Sequence, residues 1–210
     1  MKKLIGIALA VAFTAVLAVG CKRKPKEYTY DVYVAGVERL RGGGNRALLW
    51  NKDQFTRLSE EESRAYSVCA SGSDVYVAGS GVKGRDFVAA LWKNSKPEVL
   101  TDASIGSDAS YVFVSGDDVY VAGYEERGGK YCAMLWKNDK PTRLSDRRAT
   151  RAEARSVFVI DNDVYVAGYE MHGGKNKMML WKNGEPVQSL IDAAPEATAS
   201  SVYVVKREKE

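Results

Sequence analysis

The string Asp-Val-Tyr-Val-Ala-Gly occurs four times in this chain, opening at Asp31, Asp74, Asp118 and Asp163. Successive starts lie 43, 44 and 45 residues apart, and all four tryptophans, Trp50, Trp92, Trp136 and Trp181, recur in step with them. A period of about 40 to 45 residues that holds several short apolar runs is the signature of a propeller built from four-stranded blades.

The third repeat is the clearest copy. Ser110–Val114 is a short apolar run, and Ser115-Gly116-Asp117 makes a turn. Asp118–Gly123 is a second run, followed by a Gly-rich link over Glu125–Lys130. Tyr131–Trp136 is a third run, the turn Lys137–Lys140 closes it, and Pro141–Leu144 is a fourth. Val, Tyr, Phe and Trp fill the runs while Gly, Asp, Asn and Ser sit at the breaks, as strands and hairpin turns require. The runs are apolar on both faces, so a single sheet of this kind needs a neighbour on each side. The fourth run opens with Pro97, Pro141 or Pro186 in three repeats, and with Phe55 in the first. A proline lacks the ladder N–H and is tolerated at a strand start or a sheet edge.

The first repeat starts directly at its second strand, near Tyr30, with no first strand before it. Ser201–Val205, after the fourth repeat, matches the missing strand. The expected fold is therefore all-β: four four-stranded antiparallel blades over residues 28–205, closed when the C-terminal strand completes the first blade. A monomeric ring is favoured, and two chains joined as eight blades are the alternative.

The N-terminus reads as an address. Lys2 and Lys3 precede an apolar or small-residue run from Leu4 to Val19. This run is shorter than the roughly 20 residues a membrane-spanning helix needs, which favours a cleaved signal. Leu17-Ala18-Val19-Gly20-Cys21 resembles the lipobox of bacterial lipoproteins, although Ala18 stands where that motif usually has Leu. The resemblance implies a signal peptide over 1–20 and a membrane anchor through lipidated Cys21, with 21–27 as a charged tether. The lysine after Cys21 implies outer-membrane or cell-surface placement by the same resemblance.

Residues 28–205 carry 22 basic and 24 acidic side chains, and the charged tail 206–210 lies beyond them. The folded body lacks the concentrated basic face that nucleic-acid binding needs. With Cys21 lipidated, Cys69 and Cys132 remain; they occupy unrelated repeat positions and are expected as two separate thiols.

The repeats, Val-Tyr-Val-Ala-Gly-Tyr followed by Leu-Trp-Lys-Asn-Gly, resemble those of bacterial β-propeller lipoproteins. That likeness speaks to fold and is nearly silent on function. A ligand face is expected on the side of the second-to-third links, because those are the varied connections. Its candidate residues are Arg39, Arg41, Arg85, Glu125, Glu126, Arg127, Glu170 and His172. The Gly-rich stretches at Gly42–Gly44 and Gly128-Gly129 precede strands rather than helices, so they read as turns and not phosphate cradles. His172 is the only histidine and no nucleophile signature accompanies it. The expectation is a non-catalytic binding or scaffolding module, without metal or cofactor, for a protein or glycan ligand. A multivalent lectin using the tryptophans as stacking platforms is the first alternative, and an envelope hydrolase or lyase the second.

Overall fold

The computed structural model describes residues 27–208 apart from 84, 85, 103, 189 and 191–195. The signal segment, Cys21 and Arg85 therefore lie outside the described residues. Among those described, no helix is long and apolar enough to cross a membrane.

From Asp31 onward each repeat folds into one antiparallel meander. The first holds β1 (Tyr33–Arg39), β2 (Asn45–Asn51) and β3 (Gln54–Arg57), and the second holds β4 (Ser63–Ser71), β5 (Asp74–Lys83), β6 (Asp86–Lys93) and β7 (Lys96–Val99). The third holds β8 (Ser107–Ser115), β9 (Asp118–Arg127), β10 (Lys130–Lys137) and β11 (Lys140–Arg143). The fourth holds β12 (Arg151–Ile160), β13 (Asp163–His172), β14 (Lys175–Lys182) and β15 (Glu185–Pro186). The first two meanders are separate sheets of three and four strands, while the last two join through the parallel pair Tyr131↔Arg151.

The signature residues explain themselves as local clamps. Asn94-Ser95, Asn138-Asp139 and Lys52-Asp53 all have positive φ at both positions. This is the twist-matched two-residue hairpin turn that Asn and Asp tolerate. The turn asparagine then reaches the start of the second strand. Asn138 Oδ1 accepts the Val119 N–H at 2.9 Å, and its Nδ2 donates to Asp118 at 2.7 Å. Lys137 pairs with the same Asp118 at 2.7 Å. Asp74 with Lys93 and Asn94, and Asp163 with Lys182 and Asn183, repeat the arrangement.

The signature glycine answers a different need. The first strand of each complete repeat carries a bulge, between Ala65 and Ser67, Ala109 and Tyr111, and Ala154 and Ser156. The bulge pushes a carbonyl toward the facing strand. A Cβ on Gly79, Gly123 or Gly168 would lie 1.9–2.0 Å from the carbonyl oxygen of Arg64, Asp108 or Glu153. Only a residue without a Cβ fits there.

The cores lie between consecutive meanders, not within them. Tyr76, Ala78 and Leu91 of the second repeat pack on Val121, Met134 and Trp136 of the third. Tyr120, Ala122, Leu135 and Leu144 of the third pack in turn on Val166, Met179 and Trp181 of the fourth. Cys69 and Cys132 are unbridged.

Two expectations need correction. The Gly-rich links are shorter than expected, because the ladder continues through Arg127↔Lys130 and His172↔Lys175. Only Gly128-Gly129 and Gly173-Gly174 turn the chain, all with positive φ. Within one chain, moreover, the ring is not closed by the C-terminal strand. Residues 199–208 form no strand, and among the described residues β1 pairs only with β2. The C-terminal segment lies instead against β12, where the Ser156 hydroxyl accepts the Val202 N–H.

Gly123→Ala drives a methyl into backbone that cannot yield, so it should cost about 3 kcal/mol, the upper end for overpacking. Gly42→Ala, with nothing within 4 Å of the added carbon, should stay within about 0.5 kcal/mol of wild type. Urea unfolding of the two variants checks the contrast; equal midpoints would refute the role assigned to the bulge.

Candidate ligand-binding face

Because the second strands run past their glycines, Glu125 and Glu170 are strand residues, facing Cys132 and Lys177. Both are buried, at 2% and 4% exposure. A buried carboxylate is tolerated only when paired and hydrogen-bonded, and alternation places residue i+2 on the same face. Arg127 donates to Glu125 at 2.7 Å, and His172 Nε2 meets Glu170 at 2.8 Å. Glu170 also accepts the Asp146 N–H at 2.9 Å.

That last bond ties β13 to the link that follows β11, and both of its residues line a groove of about 660 Å³ between the third and fourth repeats. Asp146 and Arg148 line it from the link, and Glu170, His172 and Lys177 line it from β13 and β14. The Arg148 side chain, then its backbone N–H and the His172 charge, hold the Asp146 carboxyl well below the usual range. The groove thus presents a fixed mosaic of both charge signs. Its counterpart in the first repeat is only half a groove, of about 330 Å³, lined by Glu38, Leu48, Phe55 and Arg57. Arg57 grips Glu38 with two bonds of 3.0 and 3.1 Å and lowers its pKa.

A second cluster gathers around the bulges. Arg151 donates to Tyr169 at 2.7 Å and pairs with Glu153 at 2.6 Å, while its guanidinium covers the Tyr131 ring at 4.6 Å. Tyr131 stacks on Tyr124, with centroids 4.6 Å apart. Arg155, the extra residue of its bulge, lies over Tyr169. Burial pushes the Tyr124 hydroxyl up, and the charge of Asp108 adds to it. Burial also raises Asp108 to about 6, against the opposing pull of Tyr66, Arg64 and Ser80. Among the described residues its Oδ1 meets no hydrogen-bond partner.

The expected residues therefore divide. Glu170 and His172 meet in one groove, and Glu125 with Arg127 repeats their pairing one repeat earlier. Glu126 is exposed beside them, with its N–H on the Gly106 carbonyl. Arg39 and Arg41 are exposed and line neither groove. Sequence reasoning missed the tyrosines and Glu153, which look like ordinary strand residues until the ladders set Tyr131 diagonally across from Tyr124 and Glu153 opposite Tyr169. Trp92, Trp136 and Trp181 are buried between repeats and offer no surface to a sugar ring.

No protein-family model and no curated protein matches this chain. Its fold is similar to the solved structure of a putative TolB from Agrobacterium tumefaciens, a β-propeller protein, with a TM-score of 0.54 at 10% identity over 72% of this chain. The match spans 58% of that chain. At this identity the likeness concerns fold alone.

Asp108 makes stability depend on pH. Its folded pKa, about 6, lies above the ordinary value, so between roughly pH 4 and 6 the folded state holds more protons than the unfolded one. This contribution is full below about pH 4 and is lost as the pH rises through 6, an effect of order 2 kcal/mol. Asp108→Asn should be more stable than wild type at pH 7 and level with it near pH 4. Equal differences at both pH values in urea melts would refute the assignment.

Proposed function

We propose that this chain is a lipid-anchored protein of the bacterial cell envelope whose four repeats are propeller blades serving as a non-catalytic binding or scaffolding module. The observation that carries this reading is the groove between the third and fourth repeats. Its charged groups are engaged with one another, Asp146 with Arg148 and Glu170 with His172. Such an arrangement suits recognition of a complementary surface better than proton transfer, which needs a group poised toward a reactant. The signal segment and Cys21 support the anchor, and the tether through residue 27 gives the body reach from the membrane. A protein ligand is favoured. A glycan is the second reading, supported by the recurrence of the Glu125–Arg127 and Glu170–His172 pairs, which would give multivalency.

A photo-crosslinking amino acid replacing Lys177, at the groove, should capture one partner in intact cells. The same probe replacing Glu98, on the exposed edge strand β7, should not. In those cells Cys21→Ala should release the chain from the membrane fraction and abolish fatty-acid labelling. Equal adducts at both probe positions would overturn the groove, and labelling that persists in the mutant would overturn the anchor.

A further inference from the structure

The two ends of the repeat array are complementary. In the second to fourth repeats the signature strand has a first-strand neighbour: β4 for β5, β8 for β9, β12 for β13. Among the described residues β1 has no such neighbour. Val77, Val121 and Val166 are each 1% exposed, whereas Val34, at the same repeat position, is 51% exposed.

The other end presents the missing piece. Val202 donates its N–H to Ser156 Oγ at 3.2 Å, just as Val112 donates to Ser67 Oγ at 3.2 Å between the second and third repeats. Tyr203 meets the Phe158 ring at 4.8 Å, as Phe158 meets Phe113 at 5.1 Å. Ser201–Val205 thus occupies the place of the next first strand, yet no sheet stands beside it and Tyr203 is 77% exposed. The register is already written. Val157↔Val166, Phe158↔Tyr165 and Val159↔Val164 translate into Val202 opposite Val34, Tyr203 opposite Tyr33 and Val204 opposite Val32. Ala199-Ser200-Ser201 matches the bulge Ala154-Arg155-Ser156, and Gly36 is the glycine that such a bulge must face.

We propose that a second copy of this chain fills the gap. Ser201–Val205 of each copy pairs antiparallel with β1 of the other, and two equal joins close one ring of eight repeats. Continuity with the intrachain interfaces argues for this occupant, since the join repeats the Val–Trp face that Val121 and Trp136 already bury. A partner from the other copy also explains why the segment sits on its own β12 rather than on its own β1. Such head-to-tail contacts are stable when the rotation closes. This goes beyond the proposed function, which holds for either copy number.

Val34→Cys with Val202→Cys in the full-length chain tests it. Directly opposed strand residues lie about 4.5–5.5 Å apart at Cα, within disulfide reach. Mild oxidation in membranes should give a covalent two-chain species. A Val34→Cys chain co-expressed with a differently tagged Val202→Cys chain should give the mixed species. Gly36→Ala, whose added carbon meets nothing within 4 Å in one copy, should weaken dimerisation at least tenfold. A cross-link confined to one chain, no cross-link at all, or dimerisation indifferent to Gly36→Ala would each overturn the proposal.

Discussion

Everything in this molecule depends on apolar sheets being buried on both faces by their neighbours in the row. Val121 and Trp136 on one face of the third repeat are buried against the second, and Tyr120 and Leu135 on the other face against the fourth. Burying a side chain of that size is worth roughly 1.5–3 kcal/mol, so one repeat alone has little to hold it. Stability is then a property of the interfaces, as in other repeat proteins. The ends of the row are where that logic is strained: Val34 carries the same side chain as Val121 but lacks the strand that would cover it.

Repetition fixes the frame, and its interruptions carry the chemistry. The Asp118–Lys137–Asn138 clamp and the Gly123 bulge site recur nearly unchanged, because each answers a geometric demand that is the same in every repeat. The positions beside them vary. Arg127 gives way to His172 beside a buried glutamate, and Asp108 gives way to Glu153 at the bulge. The first change alters the groove between repeats, while the second alters the tyrosine-rich cluster. A rigid frame with variable side chains at fixed points is what a recognition surface requires.

Much of this was legible in the sequence. The period, the number of strands per repeat, the edge prolines and the missing first strand of the first repeat could all be read from residue types. The hairpin turns were legible too, since Asn-Asp and Gly-Gly sit where positive φ is required. The length of the second strand was not. Glu125 to Arg127 looks like a polar link, and only the ladder to Lys130 and Cys132 makes it a strand. Nor was the bulge, because a one-residue insertion leaves no mark on composition while re-aiming Arg155 onto Tyr169. The closure was not: the sequence matches Ser201–Val205 to the strand missing beside β1, but residue types do not say that the segment of one chain lies against β12 while β1 pairs with β2.

Native-state hydrogen exchange on the full-length chain tests most directly the claim that both ends of the row are paired. The amides of β1 and of Ser201–Val205 should exchange as slowly as those of β5 and β8, which occupy the same positions inside the row. Exchange of the end strands at the rate of an unstructured chain, while β5 and β8 stay protected, would contradict the account.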